Sequence, residues 1–199
     1  MDIHHLGSDA LLVECADLSE AMAVHAEAVR RGVPAARDVV PGARTVLFDG
    51  VRDRDVLAQQ IPTWPLEPGD RRRGGLVELP TSYDGLDLAA VAKLWQMTSK
   101  EAAATHRDTE FTVAFCGFAP GFGYCTGLPE RLCVPRLAKP RSSVPAGSVG
   151  LAGEFTGVYP SASPGGWQII GHTSVPLWDE SREPPALLAP GTRVRFVDA

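Results

Sequence analysis

The 199-residue chain has no G-x-x-x-x-G-K-[ST] phosphate loop. A G-x-G-x-x-G fingerprint is missing too, because Gly121 and Gly123 are followed by Thr126, with Gly127 one place late. Its five histidines show neither H-E-x-x-H nor a Cys/His ligand spacing, so no metal site is expected. Four cysteines, Cys15, Cys116, Cys125 and Cys133, form no C-x-x-C pair and fit reduced thiols better than a disulfide framework. No apolar run approaches membrane-spanning length. The opening residues MDIHHLGSDA lack a basic region and an apolar run, so no secretory signal and a cytoplasmic location are expected. The net charge of −5 offers no basic stripe for nucleic acid. The one basic run, Arg71-Arg72-Arg73, follows a Pro-rich stretch and reads as a solvated connector.

Glycine and proline are abundant, and they concentrate between Cys116 and His172. That segment is not a disordered linker, because it also carries Phe118, Phe122, Tyr124, Phe155, Tyr159, Trp167, Ile169 and Ile170 and few charges. Glycine permits close backbone approach and positive φ, while proline fixes φ. Mixed with aromatics, they describe ordered, tightly turning backbone around a cleft, and the function is expected there.

The first part alternates in style. Strands are expected at 10–15, 36–40, 44–48 and 75–79. Helices are expected at 18–31, with Asp17 as N-cap and Gly32 as C-cap, and at 53–61. Leu18, Met22, Ala26 and Val29 share one face of the first helix, and Val56, Leu57 and Ile61 take core spacing in the second. The order β-α-β-β-α-β predicts a ferredoxin-like α/β domain over 1–83, with the boundary near Tyr83-Asp84-Gly85. From 84 to 199 the expectation is two helices, 86–96 and 98–106, then short punctuated strands at 110–115, 144–151, 155–159, 167–172 and 193–197. That pattern is a β-barrel or sandwich. The fold class is therefore α+β. A T-S-K-E start at Thr98 suggests a capping box for the second of those helices.

Catalytic equipment is sparse. Ala146-Gly147-Ser148-Val149-Gly150 has the wrong glycine spacing for a nucleophile elbow, and Ser148 reads as a turn hydroxyl. His106, at a helix end before a strand, is either a proton carrier or a dipole-favoured terminal residue. Arg136, Lys139 and Arg141 in PRLAKPR either clamp a carboxylate or phosphate, or form an exposed basic loop. Gly165-Gly166-Trp167 offers backbone amides beside an aromatic platform, or simply a core tryptophan.

GFAPGFGY (117–124), PR (135–136), KPRSSVPAGSVGLAG (139–153), TGVYP (156–160) and SPGGWQIIG (163–171) occur in this order. Together with Glu78, Tyr83-Asp84-Gly85 and His106, they resemble the allophanate hydrolase subunit 1 family. The same family is known as the B-type subunit of 5-oxoprolinase, corresponds to part of the carboxyltransferase region of urea carboxylase, and includes a sporulation-kinase inhibitor. The resemblance implies an α/β domain followed by a cyclophilin-like β-barrel. It also implies a partner of the kind called allophanate hydrolase subunit 2, or the C-type subunit of 5-oxoprolinase, with a third subunit in 5-oxoprolinase. That complex opens 5-oxoproline to glutamate at the expense of ATP, shared with the partner subunits. Biotin enters only under the carboxyltransferase alternative, and a regulator that binds and inhibits a histidine kinase is the third reading. On the first, Gly117, Phe118, Pro120, Gly121, Phe122, Tyr124, Gly147, Ser148, Gly165, Gly166 and Trp167 are expected to line an interfacial pocket. Arg136, Lys139 and Arg141 would bind carboxylate or phosphate there, with His106 as acid/base.

Overall fold

The computed structural model describes residues 1–32, 36–66 and 74–199. The chain divides into two compact units, Met1–Arg71 and Arg72–Ala199. The Arg71-Arg72-Arg73 run lies outside the described residues. Among the described residues no helix is long and apolar enough to cross a membrane.

In the first unit, β1 (Asp2–Leu6), β2 (Ala10–Glu14), β3 (Asp38–Pro41) and β4 (Thr45–Asp49) form one antiparallel sheet in the order β1-β2-β4-β3. Helices α1 (Leu18–Arg31) and α2 (Arg54–Gln60) pack on it. The Asp17 carboxylate accepts from the Glu20 N–H, and Gly32 closes α1 at a φ of 56°, as its sequence signals require. The ferredoxin-like order is not what forms. The place beside β2 is taken by β1, through a tight hairpin turn, and the strand expected to fill it joins the other unit. The core faces also differ from expectation. Ala21, Val24 and Ala28 bury one side of α1, whereas Ala26 and Val29 are exposed, and Val56 is exposed on α2. The buried face of α1 is thus made mainly of small residues, Ala21, Ala23 and Ala28, with Val24.

The second unit opens with β5 (Leu76–Thr81), which pairs in parallel with β13 (Arg193–Asp198). The division therefore falls before β5 rather than at Tyr83–Gly85. Helices α3 (Leu88–Leu94) and α4 (Ser99–Arg107) follow, α4 opening with the expected capping box between Thr98 and Glu101. Next come β6 (Phe111–Cys116), β7 (Gly123–Thr126), β8 (Arg141–Val144), β9 (Ser148–Ala152), β10 (Phe155–Val158), β11 (Ser163–Gly165) and β12 (Gln168–His172). Seven strands join in the order β12-β9-β10-β7-β6-β13-β5, while β8 and β11 form a separate ribbon. Closure comes from the segment after β5. Ser82 and His172 exchange both backbone hydrogen bonds at 2.9 Å, and Gly85 and Asp87 donate to the Ile170 and Ile169 carbonyls. A Cβ on Gly85 would lie 2.3 Å from the Ile170 carbonyl carbon, so only glycine lets this segment cross β12. The sheet thus becomes a nearly closed barrel without a free edge on β12.

Alternation along these strands serves two cores. Cys125, Val149, Leu151 and Ile170 join the main core with Leu79, Phe111, Val194 and Phe196. Their neighbours Tyr124, Ala152 and Ile169 join a second cluster with Phe122, Val144, Tyr159 and Trp167. Strands apolar on both faces read as continuous apolar runs.

Candidate functional site

The second cluster surrounds a cavity of about 490 Å³, lined by Phe118, Phe122, Tyr124, Pro135, Arg136, Ala152, Gly153, Phe155, Tyr159, Pro164, Gly165 and Trp167. Every one of these residues comes from the punctuated segment. Phe122 is the hub, with edge-on contacts to Phe118, Tyr124, Tyr159 and Trp167 at centroid distances of 5.0–5.5 Å. Tyr124 in turn stacks on Phe115 at 4.4 Å and meets Phe155 edge-on. Edge-to-face geometry aligns ring quadrupoles and fixes ring orientation, which makes a rigid wall. Gly165 is required here, because a Cβ would stand 2.2 Å from the Tyr159 hydroxyl.

The turn between β6 and β7 sets Phe118 at the rim. The Ala119 N–H donates to the Gly117 carbonyl at 2.8 Å across Phe118, whose φ is 70°. This is a γ-turn of the rarer, positive-φ kind, and for a bulky side chain it stores about 1–3 kcal/mol of strain. Phe118 remains 59% exposed, whereas Phe122 and Tyr159 beneath it are 1% exposed.

The polar groups at this wall are few. Arg136, an exposed residue, lines the cavity, and among the described residues no carboxylate pairs with it. Burial raises the Tyr124 and Tyr159 phenols, and the Arg136 charge opposes that rise at both. Both therefore stay neutral hydroxyls at physiological pH, within reach of one guanidinium's field. An aromatic wall with one cation suits a carboxylate-bearing organic molecule.

The other expected anion ligands are placed differently. Arg141 Nη2 donates to Asp87 Oδ1 at 2.8 Å and Nη1 to the Trp167 carbonyl at 3.3 Å. Asp87 Oδ2 accepts from the Ile169 N–H at 2.6 Å. Arg141 is thus a strut that ties β8 to β12 and fixes Trp167, and its charge is already neutralised. Lys139 is exposed and does not line the cavity. Gly117, Pro120, Gly121 and Gly166 shape the turns around the cavity without lining it. Gly147 ends the turn into β9 and donates its N–H to the Tyr159 carbonyl at 2.7 Å, while Ser148, expected as a turn hydroxyl, is the buried first residue of β9; neither lines the cavity. Pro135, Ala152, Gly153, Phe155, Tyr159 and Pro164 line the cavity without having been expected to. Tyr159 and Phe155 sit within or beside the TGVYP motif, which is the signal that points to them.

His106 is not an acid/base at this cavity. It is fully buried in the main core between Phe111 and Phe196, at centroid distances of 4.8 and 4.5 Å. Nδ1 lies 2.9 Å from the Tyr83 hydroxyl and Nε2 2.9 Å from Thr156 Oγ1, which itself donates to the Gly150 carbonyl. That chain assigns the proton to Nε2, with Tyr83 donating to Nδ1. Burial lowers the imidazole pKa to about 3, so it stays neutral.

The family described as "Carboxyltransferase domain, subdomain C and D" matches residues 1–188. Over 177 residues the chain is 43% identical to the B-type subunit of 5-oxoprolinase from Escherichia coli O157:H7, covering 83% of this chain and 79% of that protein. The corresponding 5-oxoprolinase subunit of Haemophilus influenzae is 46% identical over 157 residues, 77% of this chain and 74% of its own length. Among solved structures, urea amidolyase of Kluyveromyces lactis shares the fold, with a TM-score of 0.79 at 18% identity. That match covers 99% of this chain and 15% of the amidolyase.

Proposed function

The chain belongs to the carboxyltransferase subdomain C and D family, with the B-type subunits of 5-oxoprolinase as relatives, and from that premise we propose that it is one subunit of an ATP-dependent 5-oxoprolinase. The complex opens the lactam of 5-oxoproline to glutamate. The barrel is of the cyclophilin-like kind, and the cavity on its wall is the part of the active site this chain contributes. A second subunit and a third supply the rest, including the nucleotide contacts.

The observation that carries this reading is an aromatic cavity with one guanidinium that pairs with no carboxylate among the described residues. 5-Oxoproline is a small ring with a carboxylate. Arg136 holds the carboxylate by charge-assisted hydrogen bonds, and the rings pack on the lactam methylenes and exclude water. A lactam resists water because amide resonance lowers its electrophilicity. Transfer of the γ-phosphoryl group to the amide oxygen makes the carbon electrophilic. Water adds, the ring nitrogen leaves with a proton, and the resulting acyl phosphate is hydrolysed by a second water to glutamate and phosphate. The neutral phenols of Tyr124 and Tyr159 are donors suited to the oxygen on which charge develops.

The test is to co-express the chain with its two partner subunits and follow ATP hydrolysis with and without 5-oxoproline. Hydrolysis that depends on the lactam is expected. Turnover indifferent to 5-oxoproline but dependent on urea and a biotin-bearing partner would replace this reading with carboxyl transfer, the activity named in the family's description.

A further inference from the structure

Among the described residues, two non-glycine residues have positive φ, Gln96 and Phe118. Gln96 sits just beyond α3, where its N–H reaches the Lys93 carbonyl, and a left-handed residue at a helix C-terminus is routine. Phe118 has no comparable local reason. Glycines stand close by at 117 and 121, yet the strained position is occupied by a bulky aromatic. Its ring is not needed to fill the core either, since most of it is open to solvent. It stands edge-on to Phe122 at 5.3 Å and to Tyr159 at 6.1 Å, so its contacts hold it at the rim of the cavity. Strain of this kind persists where the surrounding structure fixes a group for use.

We propose that Phe118 is a specificity-determining residue whose ring covers the ring of a small cyclic amide acid while Arg136 holds that ligand's carboxylate. The substrate class rests on the 5-oxoprolinase reading. With the carboxylate fixed at one point and an aromatic ring fixed at another, the distance between them limits the ring size admitted. On this proposal a larger lactam ring is brought closer to Phe118 than a five-membered one.

The experiment compares the assembled wild-type complex with Phe118→Gly, using 5-oxoproline and its six-membered homologue as substrates for coupled ATP hydrolysis. Glycine adopts positive φ freely, and that relief offsets the ring's lost contacts and the greater freedom of the unfolded chain, so the variant should unfold within a few degrees of wild type. KM for 5-oxoproline should rise about tenfold, and the kcat/KM preference for the five-membered ring should shrink about tenfold, the range one methylene in a tight pocket commands. An unchanged KM with unchanged ring preference overturns the proposal. So does failure of the variant chain to co-purify with its partner subunits, which would make Phe118 an interface anchor. A wild-type complex indifferent to both lactams removes the 5-oxoprolinase reading itself, and this proposal with it.

Discussion

The Tyr83–His106–Phe111–Phe196 cluster and the Phe118–Phe122–Tyr124–Tyr159–Trp167 cluster lie in one barrel unit, and each sets polar atoms among aromatic rings. In the first, a relay runs from the Tyr83 hydroxyl through His106 to Thr156 and the Gly150 carbonyl, and the imidazole is sealed from solvent. In the second, a guanidinium with no carboxylate partner among the described residues lines a cavity of about 490 Å³, and the rim residue sits in strained backbone. A buried, satisfied network specifies the fold; an exposed cation at the mouth of an aromatic cavity stays accessible to a ligand. The contrast separates two residue sets that both look catalytic in sequence.

The largest effect should come from the closed cluster. His106→Ala removes a buried ring and leaves the Tyr83 hydroxyl without its acceptor, so it should cost about 3–5 kcal/mol of stability in urea unfolding. Turnover per folded molecule should persist, and loss of turnover in a fully folded variant would make the two clusters functionally one. The same histidine gives a pH signature. Its folded pKa of about 3 lies below the unfolded value near 6.5. Below 6.5 the unfolded chain binds the extra proton, so the stability it contributes is intact above pH 6.5 and is lost as pH falls toward 3. Unfolding curves between pH 7.5 and 4 should lose that part of their slope in His106→Gln.

The open cluster should respond in the opposite sense. Arg136→Ala should lower kcat/KM for 5-oxoproline about 100-fold, as loss of a charge-assisted pair implies, with little change in unfolding temperature. Arg141→Ala should fall between the two. It leaves the Asp87 carboxylate buried without its cation, costing about 2 kcal/mol after allowance for the partial exposure of Arg141, and it loosens Trp167. A shift in tryptophan fluorescence and a modest rise in KM should accompany it. A purely catalytic loss without destabilisation would return Arg141 to the role of ligand clamp.

Much of this contrast is readable from residues alone. The punctuated, aromatic-rich segment holds every residue of the cavity lining, and the caps at Asp17, Gly32 and Thr98 lie where their chemistry requires. What residues alone do not reveal is which distant group each cation meets. Arg136 and Arg141 are equivalent in PRLAKPR, and only the fold brings Asp87, 54 positions away from Arg141, to one and not the other. His106 looks like a proton carrier in sequence because nothing local reveals Phe111 and Phe196 closing over it. Strand β1 escapes the pattern because DIHHL is mostly exposed and shows little apolar alternation. Strand β5 goes to a different sheet from the one expected because its partner β13 lies more than a hundred residues later, and pairing at that range leaves no local trace.

The most direct measurement is isothermal titration of 5-oxoproline into the assembled complex, with Arg136 intact and replaced by Ala. The expected result is at least a tenfold loss of affinity in Arg136→Ala with the unfolding temperature unchanged. Equal affinity in the two complexes would contradict the assignment of the aromatic cavity as the place where the substrate's carboxylate is held.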